Sequence, residues 1–183
     1  MGEEIIVRHC SPTLAGLKTG ALFNCKYESK QELYAWMRGL NRKLSRKGLR
    51  VIPLRFRGDR ALIYVYRPKK LKRDMARADV AQLLRQNGYK ETTPEYCIAH
   101  LKERLGAEQD FPHEIGLFLG YPTEDVKGFM EQGGRASKYV GHWCVFGDAE
   151  KAKQTFSLYD KCATVYMQRF KSGSDLERLT VGT

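Results

Sequence analysis

The chain has no apolar run approaching the roughly 20 residues that a membrane-spanning helix needs. It has no CxxC pair, and its five cysteines (Cys10, Cys25, Cys97, Cys144, Cys162) are odd in number and scattered. That spacing argues against a disulfide framework and fits a reducing compartment. It has no GxxxxGK[ST] phosphate loop and no RNP-type motif. Internal repeats and low-complexity tracts are also missing. The opening Met1-Gly2-Glu3-Glu4 is acidic and lacks the apolar centre of a signal peptide. A cytoplasmic protein without a membrane partner is the expectation. Composition sets neither a cofactor nor an oligomeric state.

What is present is ordinary globular material with an uneven charge. The 183 residues carry a net charge of +11. Between Arg38 and Arg73 stand 14 Lys/Arg and one acid, Asp59, so that segment alone amounts to +13 and the rest to −2. Polyanion binding responds to such a local field more than to the total. The segment 38–73 is therefore a candidate for nucleic acid or for an acidic protein partner.

Hydrophobic periodicity and breakers predict the elements. Glu4 to His9 reads as a short strand broken by Ser11-Pro12-Thr13, and Ala21 to Tyr27 as a second strand. Ser29 caps a helix whose apolar stripe is Leu33, Trp36, Met37, Leu40 and Leu44, ended by Gly48. Leu49–Phe56 and Arg60–Tyr66 form a hairpin around Gly58-Asp59. A basic linker, Lys69 to Arg73, leads to a helix near Asp74–Asn87. Helices then follow from Thr93-Pro94, Pro112 and Thr123, a strand spans Tyr139 to Phe146, and a long helix runs from Gly147-Asp148 to about Phe170. The fold class is α+β: a small mixed or antiparallel sheet with a central hairpin, packed by helices. A single domain over 1–172 with a loosely held tail at 173–183 is expected.

In this register one face of the hairpin holds Ile52, Leu54, Phe56, Ile63 and Val65. The other holds Arg55, Arg57, Arg60, Tyr64 and Tyr66, and the preceding helix adds Arg38, Arg42, Lys43, Arg46 and Lys47. Arginines beside tyrosines on an open sheet would pair phosphates and stack bases. The same residues also cover ordinary sheet surfaces, because their stems are apolar and their tips polar.

A second set of residues has site chemistry. His9 and Cys10 end the first predicted strand, and Thr13 and Lys18 follow in a turn with Gly16 suited to an anion. His142 and Cys144 lie two apart on a predicted strand and so share a face. His113 and Glu114 open a short helix. Gathered together, they would hold a small molecule, a metal or a cofactor. In a catalytic version Cys10 is nucleophile or ligand, His9 or His113 is the base, and Glu114 stands beside them. The alternative is structural, since cysteine often packs as a small hydrophobe.

The segments His9-Cys10-Ser11-Pro12-Thr13-Leu14-Ala15-Gly16-Leu17-Lys18 and Phe111-Pro112-His113-Glu114-Ile115-Gly116-Leu117-Phe118-Leu119-Gly120-Tyr121-Pro122 resemble an uncharacterised bacterial family, a domain of unknown function. Trp143-Cys144-Val145-Phe146-Gly147-Asp148, followed by Phe156, Tyr159 and Cys162, completes the resemblance, which spans Arg8 to about Cys162. It implies no activity, cofactor or catalytic residue. The basic hairpin lies between these motifs, which favours the His/Cys segments as working parts.

Overall fold

The computed structural model describes residues 2–107 and 111–182. The protein is α+β, and its backbone contacts cluster in two compact units where one domain was expected. The first comprises Met1–Lys69 and Tyr159–Thr183, the second Lys70–Leu158.

The first unit begins with helix α1, Glu4–Leu14, where a strand was expected. The β-branched pair Ile5-Ile6 and the proline favour the strand reading locally. Burial decides otherwise: Ile6, Val7, Cys10 and Leu14 recur at helical spacing and are fully buried. Pro12 lies inside the last turn. The carbonyl it leaves free at i−4 belongs to Arg8, an exposed residue, so water satisfies it.

Strand β1, Gly20–Lys26, follows, and then helix α2, Lys30–Leu44. Ser29 caps α2 by accepting from the Glu32 amide at 3.1 Å. A 3-10 turn, Ser45–Lys47, ends at Gly48 with φ +79°, a conformation glycine adopts at little cost. Strands β2, Arg50–Arg57, and β3, Arg60–Tyr66, complete an antiparallel sheet of order β1-β3-β2.

Near the turn the hairpin register is as expected, with Arg57 opposite Arg60 and Arg55 opposite Leu62. Beyond it a bulge at Leu54 shifts the pairing, so Pro53 faces Ile63 and not Tyr64. Proline offers no N–H to the ladder, and β2 is an edge strand, where such an irregularity is tolerated. The shift puts Val51, not Ile52, in the core with Ala61, Ile63 and Val65, and Phe56 packs against them.

β3 is the central strand, and it is buried on both faces. Tyr64 is 0 % exposed and Tyr66 half-buried, their rings stacked at 4.6 Å. The expected open Arg/Tyr face is therefore corrected. Arg57 and Arg60 are exposed at the hairpin tip and Arg55 is half-buried, but Tyr64 presents no stacking surface.

The C-terminal segment is also corrected. Helix α9, here Leu176–Leu179, inserts Leu176 and Leu179 into the core of the first unit. The Val181 amide then donates to the Leu14 carbonyl at 3.0 Å.

Pro68, the penultimate residue of the Met1–Lys69 part of the first unit, starts the helix that leads into the second, as its fixed φ allows. α3 runs Pro68–Met75 and α4 Ala78–Gln86, so the expected basic linker is helical and the expected single helix is two. α5, Pro94–Ala107, α6, Ile115–Leu119, and α7, Thr123–Gln132, come next. The predicted strand from Tyr139 to Phe146 is a tight hairpin of β4, Tyr139–Val140, and β5, Cys144–Val145. Its turn depends on Gly141, where a Cβ would fall on the Phe156 ring. The long helix α8, Ala149–Lys171, is capped by Asp148, which accepts from the Lys151 amide at 3.0 Å. The boundary between the units falls within it. Ala152 and Phe156 pack with Val145 in the second unit, while Tyr166 and Phe170 pack on the core of the first.

Among the described residues no helix is long and apolar enough to cross a membrane.

Candidate ligand pocket

The second unit contains a pocket of about 240 Å³. Its aromatic wall is Phe111, Tyr121, Phe129 and Trp143, and its aliphatic wall Ile115, Leu119 and Val126. The polar groups on its surface are His113, His142, Cys144 and Asp125.

Local contacts hold these side chains in place. His113 meets the Phe129 ring edge-on at 4.9 Å. Tyr121 stacks on Trp143 at 4.5 Å, and Trp143 meets Phe156 edge-on at 4.4 Å. The β4–β5 turn puts His142 beside Phe156 at 5.3 Å. His142 and Cys144 thus come to one wall through a turn, not through the shared strand face that was expected.

Asp125 ties these parts together. It is 3 % exposed, in the first turn of α7. Its Oδ2 accepts from Trp143 Nε1 at 2.7 Å, and its Oδ1 from the amides of Phe146 and Gly147 at 2.7 and 2.8 Å. Three donors and the positive end of α7 replace the water a buried carboxylate would otherwise need. In the sequence Asp125 stands out only as an acid in the first turn of a helix that opens at Thr123. Its role follows from contacts 18 to 22 residues away, which no local pattern shows.

Two glycines keep the walls close. A Cβ on Gly116 would meet Val126, and one on Gly128 would fall on the Phe146 ring. Gly128→Ala is expected to push Phe146 aside and to lower stability by about 1–3 kcal/mol, the usual range for overpacking. Chemical denaturation followed by Trp143 emission measures it.

Glu114 does not line the pocket. It is buried, accepts from the Tyr89 hydroxyl at 3.0 Å and pairs with Arg104 at 2.7 Å. Burial first, and then the neighbouring carboxylate, push the Tyr89 phenol pKa up. Glu114, just before α6, therefore ties together α5 and the connection that follows α4.

His9, Cys10, Thr13 and Lys18 belong to the first unit. His9 is exposed and stacks on Phe23 at 5.4 Å; burial of its ring and then Arg8 lower its pKa. Cys10 is fully buried, and desolvation pushes its thiol far up, away from the thiolate a nucleophile needs. Lys18 is half-buried, and desolvation brings its ammonium down to about 8.

The anticipated anion loop is built for a cation instead. The amides of residues 15–18 donate back to Ser11, Pro12 and Thr13 carbonyls. The carbonyls of Thr13 and Leu14 accept from the buried guanidinium of Arg67, each at 2.7 Å. Thr13 Oγ1 is buried without a hydrogen-bond partner among the described residues.

Among the described residues no group of three or more His, Cys, Asp or Glu is placed to hold a metal ion. The pocket is thus an apolar recess with a few polar contacts, set in a helical unit beside a hairpin. The chain belongs to the family described as "Protein of unknown function (DUF3793)", whose model matches residues 6–180. No curated protein and no solved structure matches it.

Proposed function

We propose that the second unit binds a small, mostly apolar organic molecule in this pocket, with His113, His142 and Cys144 making the polar contacts. The observation that carries the reading is their convergence with four aromatic rings on one recess. Ligand sites commonly join apolar walls to a few polar groups that set orientation. The volume limits the ligand: a cavity of about 150 Å³ takes benzene, so about 240 Å³ suits molecules of one or two rings.

Amide and indole NMR spectra recorded against a set of one- and two-ring compounds test this. Binders are expected to shift the Trp143 indole signal together with the amides of Phe129 and Cys144. His113→Phe, which keeps the ring contact with Phe129, is expected to weaken them about 3- to 10-fold, the worth of one hydrogen bond. A compound set that leaves these signals unmoved defeats the reading.

A further inference from the structure

The whole net charge of the protein belongs to the first unit. Counted over its residues, that unit has 19 Lys/Arg against 8 Asp/Glu, whereas the second has 13 of each. Within the first unit, compensation is selective. Lys26 pairs with Asp59 at 3.7 Å, Lys43 with Glu3 at 2.6 Å and Arg8 with Glu4 at 2.7 Å. Arg38, Arg42 and Arg46 are exposed and have no acidic partner among the described residues.

These three form a row. α2 turns Leu33, Met37, Leu40 and Leu44 inward. Arg38 and Arg42 leave the opposite side one turn apart, and Arg46 continues the row in the 3-10 turn. The spacing along the axis is about 6 Å per step. Like charges at this spacing oppose helix formation. The negative end of α2 offsets that for Arg42 and Arg46 but leaves Arg38, a turn earlier, without compensation. The row thus gives folding little.

We propose that this arginine row binds the phosphate backbone of nucleic acid. Guanidinium groups pair phosphates in a bidentate way that ammonium groups do not, and of the two lysines beside the row, Lys43 and Lys47, the first is already paired with Glu3. Gly39 lies beside the row and would let a backbone approach, since a Cβ there would meet nothing within 4 Å. Tyr34, 41 % exposed, extends the row by one turn before Arg38 and is the one large aromatic among the described residues of α2 that stands in line with it. Tyr64 is buried, so bases find no stacking platform on the sheet. Binding is therefore through phosphates, indifferent to sequence and steeply salt-dependent.

The test is fluorescence anisotropy of the intact protein with a labelled 20-base-pair DNA duplex and a labelled 20-nucleotide RNA strand, from 50 to 200 mM salt. Both probes are expected to bind, scrambled sequences equally well. In the triple variant Arg38→Gln, Arg42→Gln, Arg46→Gln, the slope of log affinity against log salt on the duplex should fall by about 2.7, at roughly 0.9 per phosphate contact. The variant's thermal melt should match that of the unaltered protein. A control triple in the second unit, Lys102→Gln, Arg135→Gln, Lys151→Gln, should leave the slope unchanged. Any of three results overturns the proposal: neither probe binds at 50 mM salt, both triples change the slope alike, or polyglutamate binds as tightly as the duplex. The last would assign the row to an acidic protein. None of these outcomes touches the pocket reading, which concerns the other unit.

Discussion

Arg67→Met is expected to cost the first unit about 3–5 kcal/mol, from the loss of several hydrogen bonds to a charged group at about 1.5–3 kcal/mol each, partly offset by relaxation. Arg67 is 1 % exposed, and among the described residues no carboxylate pairs with it. It is held by main-chain oxygens instead. Nε donates to Thr13 at 2.7 Å, Nη2 to Leu14 at 2.7 Å and to Val181 at 2.8 Å, and Nη1 more weakly to Lys47 at 3.4 Å. Thr13 and Leu14 close α1, and Lys47 closes the turn after α2, so the cation sits at two helix C-termini, where the backbone is partly negative. Those carbonyls lie at helix ends, and the guanidinium adds a second donor to the Gly16 and Val181 amides that reach Thr13 and Leu14.

Methionine fills much of the space but takes a charged donor from each oxygen, leaving Thr13 and Leu14 only the Gly16 and Val181 amides; each bond to the charged group contributes about 1.5–3 kcal/mol. Because a whole domain has only about 5–15 kcal/mol to lose, much of the protein should be unfolded at moderate urea. Arg67→Lys keeps the charge but cannot span the oxygens with one ammonium, so an intermediate loss is expected. Burial lowers the Arg67 pKa, yet arginine starts so high that the group stays charged, and the deficit should not vary across neutral pH. Urea titrations followed by circular dichroism measure all three proteins. A loss under 1 kcal/mol for Arg67→Met would show that water reaches these oxygens.

This arrangement explains how far the sequence was legible. α2, the hairpin turn and α8 were readable because their determinants are local: the Ser29 and Asp148 caps, the left-handed Gly48, the Gly58-Asp59 turn. α1 was not, because what makes it a helix is distant. Its inner face packs on the sheet, and its end is completed by a residue 53 positions later. The segment from His9 to Lys18 looked like a reactive loop, since His, Cys, Thr and Lys fall close together there. In three dimensions it is a helix end shaped around Arg67, with Gly16 at φ +76°, where a Cβ would lie 3.8 Å from the guanidinium carbon. The tail misled for the same reason, because its polar composition hides Leu176, Leu179 and the Val181 carbonyl. In the second unit Phe111, Tyr121 and Trp143 stood inside the recognisable segments and Phe129 outside them, but nothing local said that Tyr121 and Trp143 would stack.

The second large effect is expected at Asp125. Asp125→Ala removes the acceptor for the Trp143 indole and for two amides, three part-buried donors. Hydrogen bonds to a charged group contribute about 1.5–3 kcal/mol each, though donors freed near a surface regain water. A net loss of about 3–5 kcal/mol from the hairpin and its packing on α7 is expected on that basis. The signature is local: amide exchange at Phe146 and Gly147 should quicken, and Trp143 emission should move to the red as the indole meets water. Affinity for any pocket ligand should fall in step, because Trp143 forms a wall and β5 carries Cys144. Asp125→Asn separates geometry from charge. Its amide keeps the shape but offers one oxygen for three donors, so it should retain either the indole bond or the amide pair. Unchanged protection at Phe146 and Gly147 in the alanine variant would mean that Phe156 and Val145 alone hold the hairpin. The pocket would then owe its shape to apolar packing, and Asp125 would be dispensable to it.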